Sequence, residues 1–205
     1  MSKLLNEVKK VNEKRNVTSI KTYHLPMEKF IMEIYLNCAP CTYGILFPKK
    51  ILHDMHGKIE DISPKLDRGD IHINNKVFFE TKISYRGKSG KYNLTNLRDW
   101  QKLDYFIFCF VDTQDNFTPH FYCVPVDTIF DNPCITLTAM NNTSSSNKNN
   151  QCVGKRTTIN SDDLEWLFDK TNVLKGTTYN HLTSFINRQY TKLKTHKQNE
   201  KSKKK

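Results

Sequence analysis

The chain predicts an α/β fold, a mixed central β-sheet flanked by helices. Three observations carry that expectation. Apolar residues recur at helical spacing near the start, at Met27, Phe30, Ile31, Ile34 and Tyr35. The middle holds strand-like runs, including Tyr105–Val111, almost continuously apolar as in a strand buried on both faces. Helical patterns then return near the end. Helices, a strand-rich middle and further helices pack as a layered α/β domain.

Taken in order, Leu4, Leu5, Val8 and Val11 recur at helical spacing in a lysine-rich segment and predict a first amphipathic helix. A second opens at Pro26, because proline suits a first helical position. From Asn37 to Pro64 the prolines and glycines predict loops, with a short strand or helix around Ile45–Leu52. Asp70–Ile73 and Val77–Ser84 flank Asn74-Asn75 and read as a hairpin. A glycine- and lysine-containing loop, Tyr85–Tyr92, leads to a short helical stretch at Leu94–Lys102 and then to the buried strand. Phe121–Val126 is a neighbouring strand that Pro125 places at an edge or an end. Ile135–Ala139 is a further strand candidate, Asn141–Gln151 is a polar surface loop, and helices follow at Ser161–Lys170 and Tyr179–Lys194. The expected organisation is an arm over residues 1–18, one domain over 19–194 with its core near 59–126, and a disordered basic tail over 195–205.

Composition narrows the function. The net charge is +11, from 32 Lys+Arg against 21 Asp+Glu, which points to a polyanionic partner such as nucleic acid. No apolar run reaches the roughly 18 residues of a membrane helix, and the charged N-terminus lacks the apolar stretch of a signal peptide, so an intracellular, cytoplasmic protein with no membrane partner is expected. Six cysteines, at 38, 41, 109, 123, 134 and 152, are expected as free thiols. Cys38-Ala39-Pro40-Cys41 has metal-ligand spacing but lacks a second nearby pair, so small buried hydrophobes are the better reading.

The stretch that carries chemistry runs from Asp70 to Lys82. Glu80 and Lys82 lie two apart on a strand and share a face. The hairpin register decides whether Asp70 joins them. A two-residue turn pairs Ile73 with Lys76 and sends Asp70 away. A three-residue turn pairs Ile73 with Val77 and Ile71 with Phe79, places both apolar pairs on one face and sets Asp70 across from Glu80. Cross-strand burial favours the second. Two nearby carboxylates repel unless a cation lies between them, and oxygen ligands select a hard ion such as Mg²⁺. Such an ion polarises a phosphodiester and activates water, and Lys82 would orient that water or stabilise the phosphorane. A surface ion pair is the plain alternative, as for Glu7-Val8-Lys9. The apolar setting of the strand, the register-matched Asp70 after Arg68-Gly69 and the basic chain favour chemistry.

Gly69-Asp70, a nine-residue gap and then Glu80-Thr81-Lys82 resemble the PD-(D/E)xK nuclease superfamily over about Ile59–Val126. The resemblance implies a restriction-endonuclease-like core and an endodeoxyribonuclease, with a type II restriction enzyme expected and a junction resolvase or a phage or repair nuclease as the nearest alternative. It implies Asp70, Glu80 and the Thr81 carbonyl as Mg²⁺ ligands and Lys82 as the catalytic lysine. Glycine replaces the family's proline before Asp70, and Asp67 is an alternative aspartate at a less suitable offset. Glu33 is the candidate for an added glutamate from a preceding helix, with Glu28 competing. Arg86, Lys88 and Lys91 in the loop after the motif, and Arg98 and Gln101 beyond it, are the candidate contacts to double-stranded DNA. A homodimer with two active sites and a cognate methyltransferase as genetic partner complete the expectation. A basic DNA-binding protein without catalysis is the reading from another class.

Overall fold

The computed structural model describes residues 23–62, 68–140 and 154–202. The expected first helix, the Asn141–Gln151 loop, Asp67 and Cys152 lie outside them. The chain is mixed α/β, as expected. A five-stranded sheet runs in the order β1 (Glu60–Asp61), β2 (Ile71–Ile73), β3 (Val77–Tyr85), β5 (Tyr105–Asp112), β6 (Thr118–Pro125). Only the β3–β5 contact is parallel. A smaller sheet, β4 (Lys91–Leu97), β8 (Lys155–Asn160) and β7 (Thr138–Ala139), was not anticipated.

β5 organises both faces. Alternate side chains of a strand point to opposite sides, and here both sides are apolar. Ile107, Cys109 and Val111 face a core closed by α1 (Met27–Asn37), α2 (Tyr43–Asp54) and α5 (Tyr179–Ser202) through Phe30, Ile31, Ile34, Phe47, Leu182 and Ile186. Phe106, Phe108 and Phe110 face a second core with Leu94 and Leu97 of β4, Ile159 of β8, α3 (Val126–Phe130) and α4 (Leu164–Phe168). Their rings form a column with centroids 5.4 and 5.7 Å apart, capped by Phe168 at 5.6 and 5.9 Å. β6 lies at the sheet edge and ends on Pro125, as its sequence predicts.

Several elements depart from expectation. The short strand or helix expected around Ile45–Leu52 is a longer, 12-residue helix over residues 43–54, with Pro48 inside it. Tyr43, Leu46, Phe47 and Ile51 are buried along one stripe, and tertiary packing outweighs the proline. The helix expected at Leu94–Lys102 is instead β4 followed by an irregular segment. Its burial alternates over Lys91–Leu94, and a bulge with Asn96 at φ 55° returns Leu97 to the core. Leu94, Leu97 and Gln101 thereby imitate helical spacing. Parallel strands need a crossover, and here residues 86–104 supply it through the second sheet. The Ile135–Ala139 strand contracts to Thr138–Ala139, and the Ser161–Lys170 helix to a 3₁₀ turn at Ser161–Asp163 plus Leu164–Phe168. The last helix continues to Ser202, past Lys194. Cys38, Cys109 and Cys123 are buried free thiols, while Cys41 and Cys134 are free and exposed.

Truncating the middle ring of the column tests this double core. Phe108→Ala should cost about 3–5 kcal/mol, read as a lowered urea midpoint with an unchanged slope. A loss under about 1 kcal/mol would mean that β5 is not the common wall of both cores.

Candidate active site

The hairpin has the register that burial favours. Ile73 pairs with Val77 and Ile71 with Phe79. Asn74 and Asn75 both take left-handed conformations, at φ 52°, and the Lys76 N–H donates to the Ile73 carbonyl at 2.9 Å. Lys76 is the extra residue that sets the pairing to Val77. Asp70 and Glu80 are the next residues beyond the last pair, and the two carboxylates line the same cleft.

Asp70 is fixed from its own hairpin. Thr81 donates to Asp70 Oδ2 twice, from its N–H at 2.8 Å and from Oγ1 at 2.7 Å. Glu80 is 5% exposed, Lys82 Nζ donates to Glu80 Oε1 at 2.5 Å, and Gln101 Nε2 reaches Glu80 Oε2 at 3.4 Å. Burial, then the nearby Glu80 charge, pushes the Asp70 carboxyl up to about 6 against the downward pull of the two Thr81 hydrogen bonds and Lys82. Such a pair gains from a cation between its members. The Phe79 carbonyl accepts from the Asp70 N–H at 2.8 Å on the β2 side of β3. The peptide groups of alternate strand residues point the same way, so the Thr81 carbonyl also faces that side, where β2 has ended. Two carboxylates and this carbonyl are an all-oxygen donor set, which fits a hard divalent ion. Among the described residues no cluster of three or more His, Cys, Asp or Glu forms, so the fit rests on these two carboxylates and the carbonyl.

The glycine before Asp70 has a structural reason. Gly69 sits at φ 83°, and a Cβ there would lie 2.5 Å from the Phe79 carbonyl oxygen and 2.6 Å from the Leu103 side chain. Proline, locked near φ −65°, cannot adopt this conformation. The strand end therefore depends on glycine where the PD-(D/E)xK pattern names proline.

The remaining candidates divide. Arg98 and Gln101 do line the cleft, although from an irregular segment and not a helix. Arg86 instead donates to Asp112 Oδ2 at 2.8 Å and is held as an ion pair at the end of β3. Lys88 and Lys91 are exposed on the turn that the Gly87 N–H closes onto the Lys91 carbonyl at 2.8 Å, and they do not line the cleft. Glu33 accepts from Asn37 Nδ2 on its own helix at 2.8 Å, and neither Glu33 nor Glu28 joins the two carboxylates. The cleft's other wall, α2 with Gly44, Ile45, Pro48 and Lys49, falls where the sequence left a short strand or helix open around Ile45–Leu52, and its part in the cleft was not anticipated. A signal was present: Leu46, Phe47 and Ile51 keep helical spacing through Pro48.

No model of a known protein family matches the chain, and no curated protein matches it in sequence.

Two consequences can be measured. Gly69→Ala should cost more than about 2 kcal/mol by denaturant unfolding, since the clash is with main chain, and a neutral result would remove the constraint. An Asp70 carboxyl held above its unfolded value of 3.8 leaves the folded state binding more protons. Stability therefore falls as pH rises from about 4 to about 6, by up to about 3 kcal/mol. Asp70→Asn should flatten that slope and be more stable than the parent at pH 7. An unchanged slope in the variant would assign the effect to another group.

Proposed function

We propose that the chain is a Mg²⁺-dependent endodeoxyribonuclease of the PD-(D/E)xK kind that cuts double-stranded DNA. The finer proposal is a type II restriction enzyme working as a homodimer beside a cognate methyltransferase. The observation that carries the reading is the pair of carboxylates, Asp70 and Glu80, held with Lys82 at one end of a cleft by a burial-determined register. The charge of +11 supports a polyanionic substrate. Among the described residues no helix is long and apolar enough to cross a membrane.

In this reading Asp70, Glu80 and the Thr81 carbonyl hold the ion. When bound, Mg²⁺ supplies a Lewis acid for the phosphate and lowers the pKa of a coordinated water. The chain's own groups do the positioning. The Thr81 N–H and hydroxyl fix one Asp70 oxygen and leave Oδ1 for coordination. Gln101 steadies Glu80 from the cleft's far wall. Lys82 rests on Glu80 Oε1, and from there its ammonium can turn to the attacking water or to the charge that builds on the phosphorus oxygens. Preorganised groups of this kind act without reorganising during the reaction.

The Lys82–Glu80 contact also suits a second reading, a basic DNA-binding protein in which the two form a structural ion pair. Plasmid DNA incubated with pure protein and Mg²⁺ separates the two. Cleavage that EDTA abolishes is expected, with discrete bands for a restriction enzyme. Asp70→Ala and Glu80→Ala should each lower cleavage by on the order of 10²-fold or more while DNA binding persists. Inert protein on varied DNA, or full activity in either variant, would overturn the proposal.

A further inference from the structure

α2 shows two faces to two different surroundings. Tyr43, Leu46, Phe47, Lys50 and Ile51 are buried, as is Pro48, which stands at the border with the cleft face. Gly44, Ile45, Pro48, Lys49 and Leu52 line the cleft that holds Asp70, Glu80, Arg98 and Gln101. The composition of this second face is costly for a helix. Glycine and proline are the two worst helix formers, and they stand here four residues apart on one stripe. Packing within the protein does not explain the glycine, because a Cβ on Gly44 would meet nothing within 4 Å. Pro48 has no N–H to donate to the Gly44 carbonyl, its i−4 partner in an α-helix. The wall is thus low at Gly44 and carries a backbone acceptor without its helical bond. Beside it Ile45 is 56% exposed, one of three large hydrophobic side chains that stand out among the described residues.

Cations face the cleft from both walls. Lys49 is exposed and makes no salt bridge among the described residues, and Arg98 lies over the Trp100 ring at 5.7 Å. An apolar helix face low enough for close approach, with a cation on each wall and the carboxylates at the end, matches a sugar–phosphate strand. The backbone of the strand would lie along Gly44 and Ile45, and phosphates beside the scissile one would meet Lys49 and Arg98.

We propose that the α2 face Gly44–Ile45–Pro48–Lys49, together with Arg98, is the surface that seats the DNA strand being cut. This rests on the nuclease reading and adds to it the wall against which the strand lies. Lys49 and Arg98 are binding and positioning residues, and the glycine keeps the seat open.

The test measures DNA binding apart from cleavage. A fluorescein-labelled duplex of mixed sequence is titrated with protein in Ca²⁺, and affinity is followed by anisotropy from low to moderate salt. Lys49→Ala and Arg98→Gln should each weaken binding by about 3- to 10-fold and reduce the slope of log K against log salt by about 0.9. Lys29→Ala, which removes the same charge from α1 outside the cleft, should change neither by more than about half as much. Gly44→Leu should keep or raise the melting temperature while weakening binding about tenfold or more, a combination that damage to the fold does not produce. Equal effects from Lys29 and Lys49, or unchanged affinity in Gly44→Leu, would overturn the seat while leaving the nuclease reading in place if the parent protein cuts plasmid. A parent protein that neither binds the duplex nor cuts plasmid overturns both.

Discussion

β5 has no side that faces water, and the molecule is arranged around that fact. Its odd-numbered residues need one apolar layer and its even-numbered ones another, so a single sheet with one covering layer cannot satisfy it. α1, α2 and α5 cover one face, while the second sheet with α3 and α4 covers the other. β3 is then held parallel to β5 along seven residue pairs. The chain must cross from the end of one strand to the start of the next, and it does so through β4, which closes the second core on the way.

The candidate site is a by-product of where that arrangement stops. β2 covers only the first part of β3, and their ladder stops at the Ile71–Phe79 pair. Beyond it β3 presents bare backbone on one edge, and the Asp70 carboxylate takes the place of the missing strand by accepting the Thr81 N–H. The same edge lies between α2 and the segment after β4, which makes a cleft of it. A carboxylate satisfying strand backbone, next to a second buried carboxylate, is an expensive combination to keep in a folded protein. Burial beside Glu80 accordingly pushes the Asp70 carboxyl up. The proposed function would be a reason to retain it, since groups with shifted pKa values concentrate where chemistry is done.

The limits of local pattern show most clearly at two places. In the hairpin, period-two burial leaves one register that hides Ile71, Ile73 and Phe79 together, so the residue order alone brings Asp70, Glu80 and Lys82 to one place. In residues 94–102 the same kind of pattern misled. Leu94 and Leu97 are three apart because a bulge absorbs one residue of a strand, and three apart is also helical spacing. Arg98 and Gln101 still reach the cleft, although the segment that carries them is irregular.

The sequence by itself determined the α/β layering, the doubly buried strand, the hairpin register and the pairing of two carboxylates with a lysine. Each follows from where apolar side chains must go along a local stretch, and local periodicity is written in the residue order. Tertiary structure decided the rest. That Pro48 sits inside a helix, that α2 walls the cleft, that Arg86 is spent on Asp112 and that Glu33 stays on its own helix all depend on contacts between residues far apart in the chain. Gly69 stands between the two kinds of knowledge. Its place beside Asp70 was plain from the sequence, but only the approach of the Phe79 carbonyl and Leu103 shows why that place admits no side chain.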